Sequence, residues 1–492
     1  MRTLYIRELT VWSVGSFAQL LHIDDGKSAQ CIETLCARDV LRVYRDNQAD
    51  ASGSPRNNQG HLKYRFDYVG LALVDECCLI VYPKYLPCLD NPAQPDEKLQ
   101  QSMRQIFRVL RRYGRGQSDV TAAEESASTE NSIAIVLMLL EMYGEYGVYT
   151  NYVKALADNG AGDISWERTI AANLPYFVNG RPIYFDYKTV VNNQDNTDFV
   201  MRLHRAALTE CSGFMQQTGL AAVLGIDEVW LTSETTEDFG DIDYVIYRLE
   251  QERATQFVTW KQDVIDLLIN YVINGTSATW QKTPFFLGKS DFEQVWEAAC
   301  KVAFNDALNR KLYELEPALD KKFATKKDSK LIDIISWPQW SVPIYDGGSC
   351  EEKYCEKVKT LRPDTVLIHR DAEGSSTFVI LDAKYRTPQF GNKATGQPGV
   401  EEVTKQFLYQ SAYREFILAH KYQRVFNAFL IPSAENEIKH VARVRFPGVI
   451  ATEEPPFTNV VETYALPAEM IFAAYLRGSS LDNEKLLAVL GD

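Results

Sequence analysis

Leu361–Tyr385 reads LRPDTVLIHRDAEGSSTFVILDAKY, and this stretch decides how the back half of the chain must fold. Val366–Ile368 and Phe378–Leu381 are two short apolar runs. Between them lies His369–Thr377, where Asp371-Ala372-Glu373-Gly374 supplies turn chemistry. The pattern predicts a β-hairpin folded about Glu373–Gly374. That fold sets Asp364 within about a residue of opposite Asp382–Ala383, where cross-strand neighbours sit close. Side chains alternate along a strand, so Asp382 and Lys384 share one face and Ala383 points away. Two carboxylates and one ammonium then meet at the end of an apolar hairpin, where charge is costly unless something uses it. Paired carboxylates a few Å apart suit a divalent cation that prefers hard oxygen ligands, Mg²⁺ first and Mn²⁺ as its substitute. A lysine beside them can orient or deprotonate the metal's water and stabilise charge on a phosphate. For a bare Asp-x-Lys the plainer reading is a weak pair of strand-end charges in water. Pro363-Asp364 and Asp382-x-Lys384 on paired strands argue against it.

The segments around this hairpin fall into three stretches. Residues 1–113 read as a β-rich domain. His61–Tyr68 alternates apolar Leu62, Tyr64, Phe66 and Tyr68 with Lys63, Arg65 and Asp67, and Leu79–Tyr82 is a buried strand stopped by Pro83. Asp46–Gly60 is a polar loop, and the small, polar residues 114–130 mark a linker. Residues 131–280 read as mostly helical, from the apolar spacing of Asn131–Tyr146, Phe199–Cys211 and Thr255–Val272. After residue 281 the order helix, strands, helix, strands predicts a mixed α/β or α+β domain, 281–492.

The 492 residues carry 52 Lys+Arg against 66 Asp+Glu, a formal net charge of −14. Residues 281–492 hold 27 Lys+Arg and 29 Asp+Glu, which leaves 25 and 37, about −12, for residues 1–280. A general nucleic-acid coat protein would be basic, so that class is excluded. The longest clean apolar run, Ile133–Leu140, is far too short to span a bilayer, and the first 25 residues lack an uninterrupted signal-type apolar core. Nine scattered cysteines with no zinc-ligand or framework spacing read as reduced thiols of a cytoplasmic protein. GKS occurs at Gly26-Lys27-Ser28 and Gly288-Lys289-Ser290, but a phosphate-binding loop needs a further Gly five residues earlier, and Leu21 and Thr283 stand there. Nucleotide binding through a P-loop is therefore not expected of this chain.

Arg362-Pro363-Asp364 followed by Ile380-Leu381-Asp382-Ala383-Lys384-Tyr385 resembles the PD-(D/E)xK nuclease signature, and in wording the McrC and LlaJI-type restriction endonuclease subunits. The clear resemblance covers about residues 285–490. Farther forward it is loose, for instance at Val81-Tyr82-Pro83-Lys84-Tyr85. It implies a restriction-endonuclease-like core, a mixed sheet flanked by helices, in a metal-dependent endonuclease of double-stranded DNA. Such a subunit works beside a McrB-like AAA+ GTPase in an anti-phage restriction system and leaves 5′-phosphate and 3′-hydroxyl ends. Asp364 and Asp382 would hold the metal with the Ala383 carbonyl, and Lys384 would position the water.

Such sites add a glutamate from a preceding helix. Ser290–Asp306 is amphipathic, and Glu293 and Glu297 compete for the role. Ser290 and Glu293 form a capping box, which leaves Glu297 beside Trp296 as the stronger candidate. In the helix expected at Glu401–Tyr422, Gln406, Gln410 and Tyr413 fall on one stripe, and Gln406 or Gln410 is a supporting residue. Lys321, Lys322, Lys326, Lys327 and Lys330 form the one dense basic stretch, read either as a solvated charge run or as a contact to DNA phosphates. His369 is read as a turn or core histidine. The rival class is a non-catalytic adaptor of a GTPase, and the rival enzyme another PD-(D/E)xK nuclease of repair or transposition.

Overall fold

The computed structural model describes residues 2–44, 62–74, 77–116, 132–274, 284–336, 338, 340–346, 349–354, 360–370, 373–391, 393–450 and 454–482. The Asp46–Gly60 loop, most of the 114–130 linker and the Asp371-Ala372 half of the turn lie outside them. The chain is mixed α+β and forms two compact units. Val120–Phe285 is one, and Arg2–Asp119 together with Phe286–Asp492 is the other.

In the discontinuous unit, β1 (Arg2–Arg7), β2 (Val69–Val74), β3 (Cys77–Tyr82) and β4 (Phe285–Lys289) form a sheet in the order β1-β3-β2-β4. β2 is buried along its whole length and β3 from Cys78 onward, as a sheet covered on both faces requires. β4 comes from the back of the sequence, and this joins the front residues to the rest. The β2–β4 approach is close. A Cβ on Gly288 would stand 2.2 Å from Cζ of Tyr68, and one on Gly70 would stand 2.3 Å from the Leu287 carbonyl oxygen. The second GKS is therefore the end of a tightly packed strand. The first opens the helix Asp25–Ala37, where Asp24 caps the Lys27 N–H and the Ser28 hydroxyl donates to the Val14 carbonyl.

The front residues are tied on further by α1 (Glu97–Gly116), which packs against α2 (Phe292–Ala303) and a C-terminal helix, Ala468–Arg477. Gln105 donates to the Glu469 carbonyl at 2.8 Å and Arg112 to the Leu476 carbonyl at 2.7 Å. The second sheet holds β5 (Thr365–Arg370), β6 (Ser376–Ala383), β7 (Arg424–Ser433), β8 (Lys439–Arg445) and β9 (Val460–Pro467), in the order β5-β6-β7-β9-β8. β6, β7 and β9 run parallel, and the two edge strands run against them. The hairpin forms with Thr365 opposite Leu381 and Arg370 opposite Ser376, centred on Glu373. On one face Val366, Phe378 and Ile380 pack under α3 (Val400–Ala412) and α4 (Arg414–Ala419). Val379 and Leu381 point the other way. There Trp296 of α2 is fully buried, its indole N–H donating to the Leu430 carbonyl at 3.1 Å.

Two expectations about helix ends are corrected. The Ser290/Glu293 capping box does not form. β4 runs to Lys289, so the helix begins later with Asp291 as its N-cap, and the Ser290 hydroxyl donates to the Asp39 carbonyl. The helix expected at Glu401–Tyr422 is two helices, because the chain turns at Tyr413, whose ring is buried against Phe378 at 5.1 Å.

The other unit has the expected helices at Ser132–Tyr146, Phe199–Gln217 and Thr259–Asn274, and a further one at Ile242–Thr255. Between the first two lie strands that periodicity does not reveal. Tyr152–Asp158, Asp163–Ile164 and Lys188–Gln194 form a small sheet, and Tyr176–Val178 pairs with Arg181–Ile183. Much of the apolar surface here faces no core: Tyr176 and Phe177 on the strands, and Leu174 and Phe185 beside them, are 64 to 91% exposed. The insertion leaves the helices at a polar neck. There the Asp195 N–H donates to the Asn151 carbonyl, and Glu252 accepts from Tyr149 at 2.7 Å and Asn151 at 2.8 Å.

The close approach of β2 and β4 makes a direct test. Gly288→Ala is expected to destabilise the protein by about 1–3 kcal/mol, because its methyl meets a ring and backbone. Gly26→Ala, whose methyl would meet only the Asp24 side chain, is expected to change stability far less. Thermal unfolding midpoints of the two variants check this.

Candidate catalytic site

Pro363 is buried and cannot donate to a ladder, so the chain reaches β5 extended and presents Asp364 at the strand's mouth. Two contacts from the end of α2 fix the edge of β5. The Asp306 carboxylate accepts from the Val366 N–H at 3.0 Å, and Ala307 donates to the Val366 carbonyl at 2.8 Å. Across the hairpin, Asp364 Oδ2 accepts from the Ala383 N–H at 3.0 Å. Asp382 is buried at 5% exposure, one residue beyond the Thr365–Leu381 rung of the hairpin. Lys384 Nζ lies 2.9 Å from Asp382 Oδ2, and its backbone N–H holds the Leu430 carbonyl at 2.8 Å.

The electrostatics follow from that geometry. Burial, and then the facing Asp382, push the Asp364 carboxyl up to about 8. Glu297 adds to the rise and Lys384 opposes it. Burial alone would lower Lys384, but Asp382, Asp364 and Glu402 outweigh it and hold the ammonium above its ordinary value. Burial, with help from Asp382 and Asp364, also pushes the Tyr409 phenol up to about 12.

The remaining candidates take distinct places. Glu297 is half-buried on α2, paired with Lys301, and its charge is felt by Asp364, Cys300 and Tyr409. Glu293 is exposed and acts on Lys84 instead. Gln410 is occupied: its amide donates to the Thr458 carbonyl at 3.0 Å and accepts from the Thr458 N–H at 3.1 Å. Gln406 is fully buried, and neither its amide oxygen nor its amide nitrogen has a hydrogen-bond partner among the described residues. Ala383 meets the site through its N–H. Lys321, Lys322, Lys326, Lys327 and Lys330 are exposed on and after a short 3₁₀ turn pinned by buried Phe323, with Lys322 paired to Glu415. They make no contact with the acids. His369 is half-buried on β5 opposite Thr377.

Glu402 was missed by sequence reasoning. Its Oε1 lies 3.5 Å from Lys384 Nζ, and the carboxylate also accepts from Arg386 and from the Gly399 N–H. The Gln406–Gln410–Tyr413 stripe, extended one turn back, passes through Glu402 and would have found it.

Among the described residues no three His, Cys, Asp or Glu side chains converge as a metal cage. None of their helices is long and apolar enough to cross a membrane. Cys36, Cys78, Cys88, Cys211 and Cys300 are free thiols.

With the geometry in view, residues 68–451 match the LlaJI restriction endonuclease family. The chain is 23% identical over 442 residues to a type II restriction enzyme BsuMI component, YdjA, of Bacillus subtilis, covering 87% of this chain and 84% of that protein. Among solved structures it resembles a half-complex of Thermococcus gammatolerans McrB AAA+ hexamers with bound McrC, at 14% identity and a TM-score of 0.36, covering 97% of this chain and 99% of the other. A second structure, the McrBC complex of the same organism, aligns over 60% of this chain and 84% of the other, at 14% identity and a TM-score of 0.20.

The raised Asp364 carboxyl sets a pH test. Its folded value near 8 exceeds the ordinary 3.8, so the stability it contributes is complete below about pH 4. That contribution is lost as pH climbs through 8. In metal-free buffer Asp364→Asn is expected to raise the unfolding midpoint at pH 8 and to leave it nearly unchanged at pH 4, read by calorimetry.

Proposed function

This chain belongs to the LlaJI restriction endonuclease family, and on that premise we propose that it is the cutting subunit of a GTP-dependent restriction system. It would hydrolyse DNA phosphodiester bonds at a PD-(D/E)xK site with Mg²⁺, or Mn²⁺ in its place, and act against phage DNA in the cytoplasm. The observation that carries this reading is the pair of carboxylates, half-buried Asp364 and buried Asp382, facing each other with Lys384 2.9 Å from the second.

The donor set fits the metal. Mg²⁺ takes one or two carboxylates and completes its shell with water and substrate phosphate, so a closed protein cage is not needed. Mutual repulsion between Asp364 and Asp382 is what a divalent cation relieves. Asp364 and Asp382 would hold it, with the Ala383 carbonyl as a further oxygen. Bound there, the cation supplies Lewis-acid stabilisation of charge on the phosphoryl oxygens. Lys384 orients the attacking water and offsets negative charge that develops on the phosphate. Glu297 holds a water from the α2 side. The Gln406 amide, which costs about 1–3 kcal/mol while unpaired, gains its partners from water or substrate. Water attacks phosphorus in line, the bond from phosphorus to the 3′ oxygen breaks, and that oxygen takes a proton. The products are a 5′-phosphate and a 3′-hydroxyl.

The division into residues 1–113, the linker 114–130, 131–280 and 281–492 is kept here as a functional partition. Residues 1–113, and with them the acidic stretch 1–280 as a whole, are the docking element for a McrB-like AAA+ GTPase, and the exposed Leu174, Tyr176, Phe177 and Phe185 of its middle stretch supply a patch that water alone would not maintain. The partner provides the motor and most of the grip on double-stranded DNA. Lys321, Lys322, Lys326 and Lys327 add phosphate contacts without reading sequence.

Plasmid cleavage by the full chain with its GTPase, GTP and Mg²⁺ tests the site. Asp382→Ala and Lys384→Ala are each expected to cut at least about 100-fold more slowly while still binding the partner. Undiminished cleavage by both variants would return the chain to the adaptor class. The docking element has its own test: Tyr176→Ser combined with Phe177→Ser is expected to abolish co-elution with the GTPase and leave the unfolding midpoint unchanged.

A further inference from the structure

The residue after the proposed catalytic lysine has its own buried setting, built largely from the front of the sequence. Tyr385 is 5% exposed. Its hydroxyl donates to Glu8 Oε2 at 2.5 Å, and the Lys84 ammonium sits over its ring 4.1 Å from the centroid. Tyr85 and Phe292 meet the same ring edge-on, at 6.3 and 5.2 Å. Glu8 follows β1, Lys84 follows β3, and the two strands are paired up to Arg7 and Tyr82.

The backbone fixes the Glu8 carboxylate. The Glu8 N–H donates to the Tyr82 carbonyl at 2.8 Å, Glu8 Oε2 also accepts from the Lys84 N–H at 3.0 Å, and Lys84 Nζ lies 3.8 Å from Glu8 Oε1. Arg7 closes the turn with a bond to the Lys84 carbonyl. A buried ion pair of this kind is a poor source of stability, since an apolar trio would pack as well. What it adds is direction: three polar groups define where one phenol must sit.

The position of that phenol matters for Lys384. β6 ends at Ala383, so the ladder does not continue through the lysine. On one side Lys384 is held by its N–H bond to Leu430. On the other, the next residue is Tyr385, on the face away from the acids. A small displacement of a reacting group can cost as much as 100-fold in rate.

We propose that Glu8 and Lys84 are positioning residues for Lys384, acting through Tyr385. Residues 2–119 are thereby part of the cutting site as well as of the scaffold. The inference rests on Lys384 serving as the catalytic lysine.

The test uses the full chain with its GTPase, GTP and Mg²⁺, and runs Asp382→Ala alongside. Tyr385→Phe keeps the ring and removes only the hydroxyl, so the variant folds. Tyr385→Phe and Glu8→Ala are expected to lower kcat roughly tenfold with KM for DNA unchanged, and Glu8→Gln, which keeps an acceptor for the phenol, recovers most of the rate. Without metal or DNA, the peptide spanning Ala383–Arg386 is expected to take up deuterium faster in both slow variants, since the Lys384 amide loses part of its support. If both variants keep wild-type kcat and deuterium uptake while Asp382→Ala is dead, the positioning role is wrong and the nuclease reading stands. If Asp382→Ala cuts like the wild type, the nuclease reading falls and this inference falls with it.

Discussion

Two carboxylates that repel each other, half-buried Asp364 and buried Asp382, are the arrangement that the packing of the second sheet has to hold. Asp364 and Asp382 face each other because the hairpin register puts them there, and the register is fixed by the apolar sides of both strands. A slip of one residue would turn Asp382 to the Leu381 face and Ile380 out of its cluster. The repulsion is shared out rather than abolished. Asp364 takes an N–H from Ala383, Asp382 takes Lys384, and Glu402 divides its charge between Lys384 and Arg386. Four acids, Asp364, Asp382, Glu297 and Glu402, are thus set around Lys384, Lys301 and Arg386.

Holding such a balance needs walls that do not give, and the chain builds them by crossing its own sequence. β4, from the back half, completes the sheet of the front residues. α1, from the front, lies on α2 and on the C-terminal helix, and those helices cover the second sheet. α2 carries Trp296 into the core and Glu297 toward the acids on adjacent positions. A change in the packing of the front residues therefore reaches the helix that bears a candidate site residue through direct contacts, with no long chain of couplings required.

The hairpin was legible in the sequence because two kinds of local signal agree there: apolar runs of strand length, and Gly-containing turn chemistry between them. The helices with a long apolar stripe were legible for the same reason. The strands of Tyr152–Gln194 were not, since Tyr152, Leu156 and Phe177 are exposed and no buried face imposes a period of two. The start of α2 was misread because Ser290 and Glu293 satisfy a helix-cap pattern locally, while Ser290 is taken by Asp39 from 251 residues away. The Glu8–Lys84–Tyr385 cluster shares that property, since it depends on a contact between segments that spacing along the chain cannot relate, whereas Glu402 lies on the Gln406–Gln410 stripe one turn before the point where that stripe was first read.

The charge distribution takes on a different meaning in that light. The excess of acid in residues 1–280 looks, along the sequence, like a surface that would turn DNA away. In the folded chain two of the front acids are already paired. Glu8 is bound to Lys84 and Tyr385, and Asp67 takes Arg65 through two bonds of 2.6 and 2.7 Å. A neutralised, buried acid contributes little to the field outside. The net charge of −14 therefore overstates the repulsion a phosphate backbone would meet beside Asp364 and Asp382. Residues 2–119 hold 16 Lys+Arg against 14 Asp+Glu, so they bring no net negative charge to Asp364 and Asp382, and the excess of acid lies in residues 120–280.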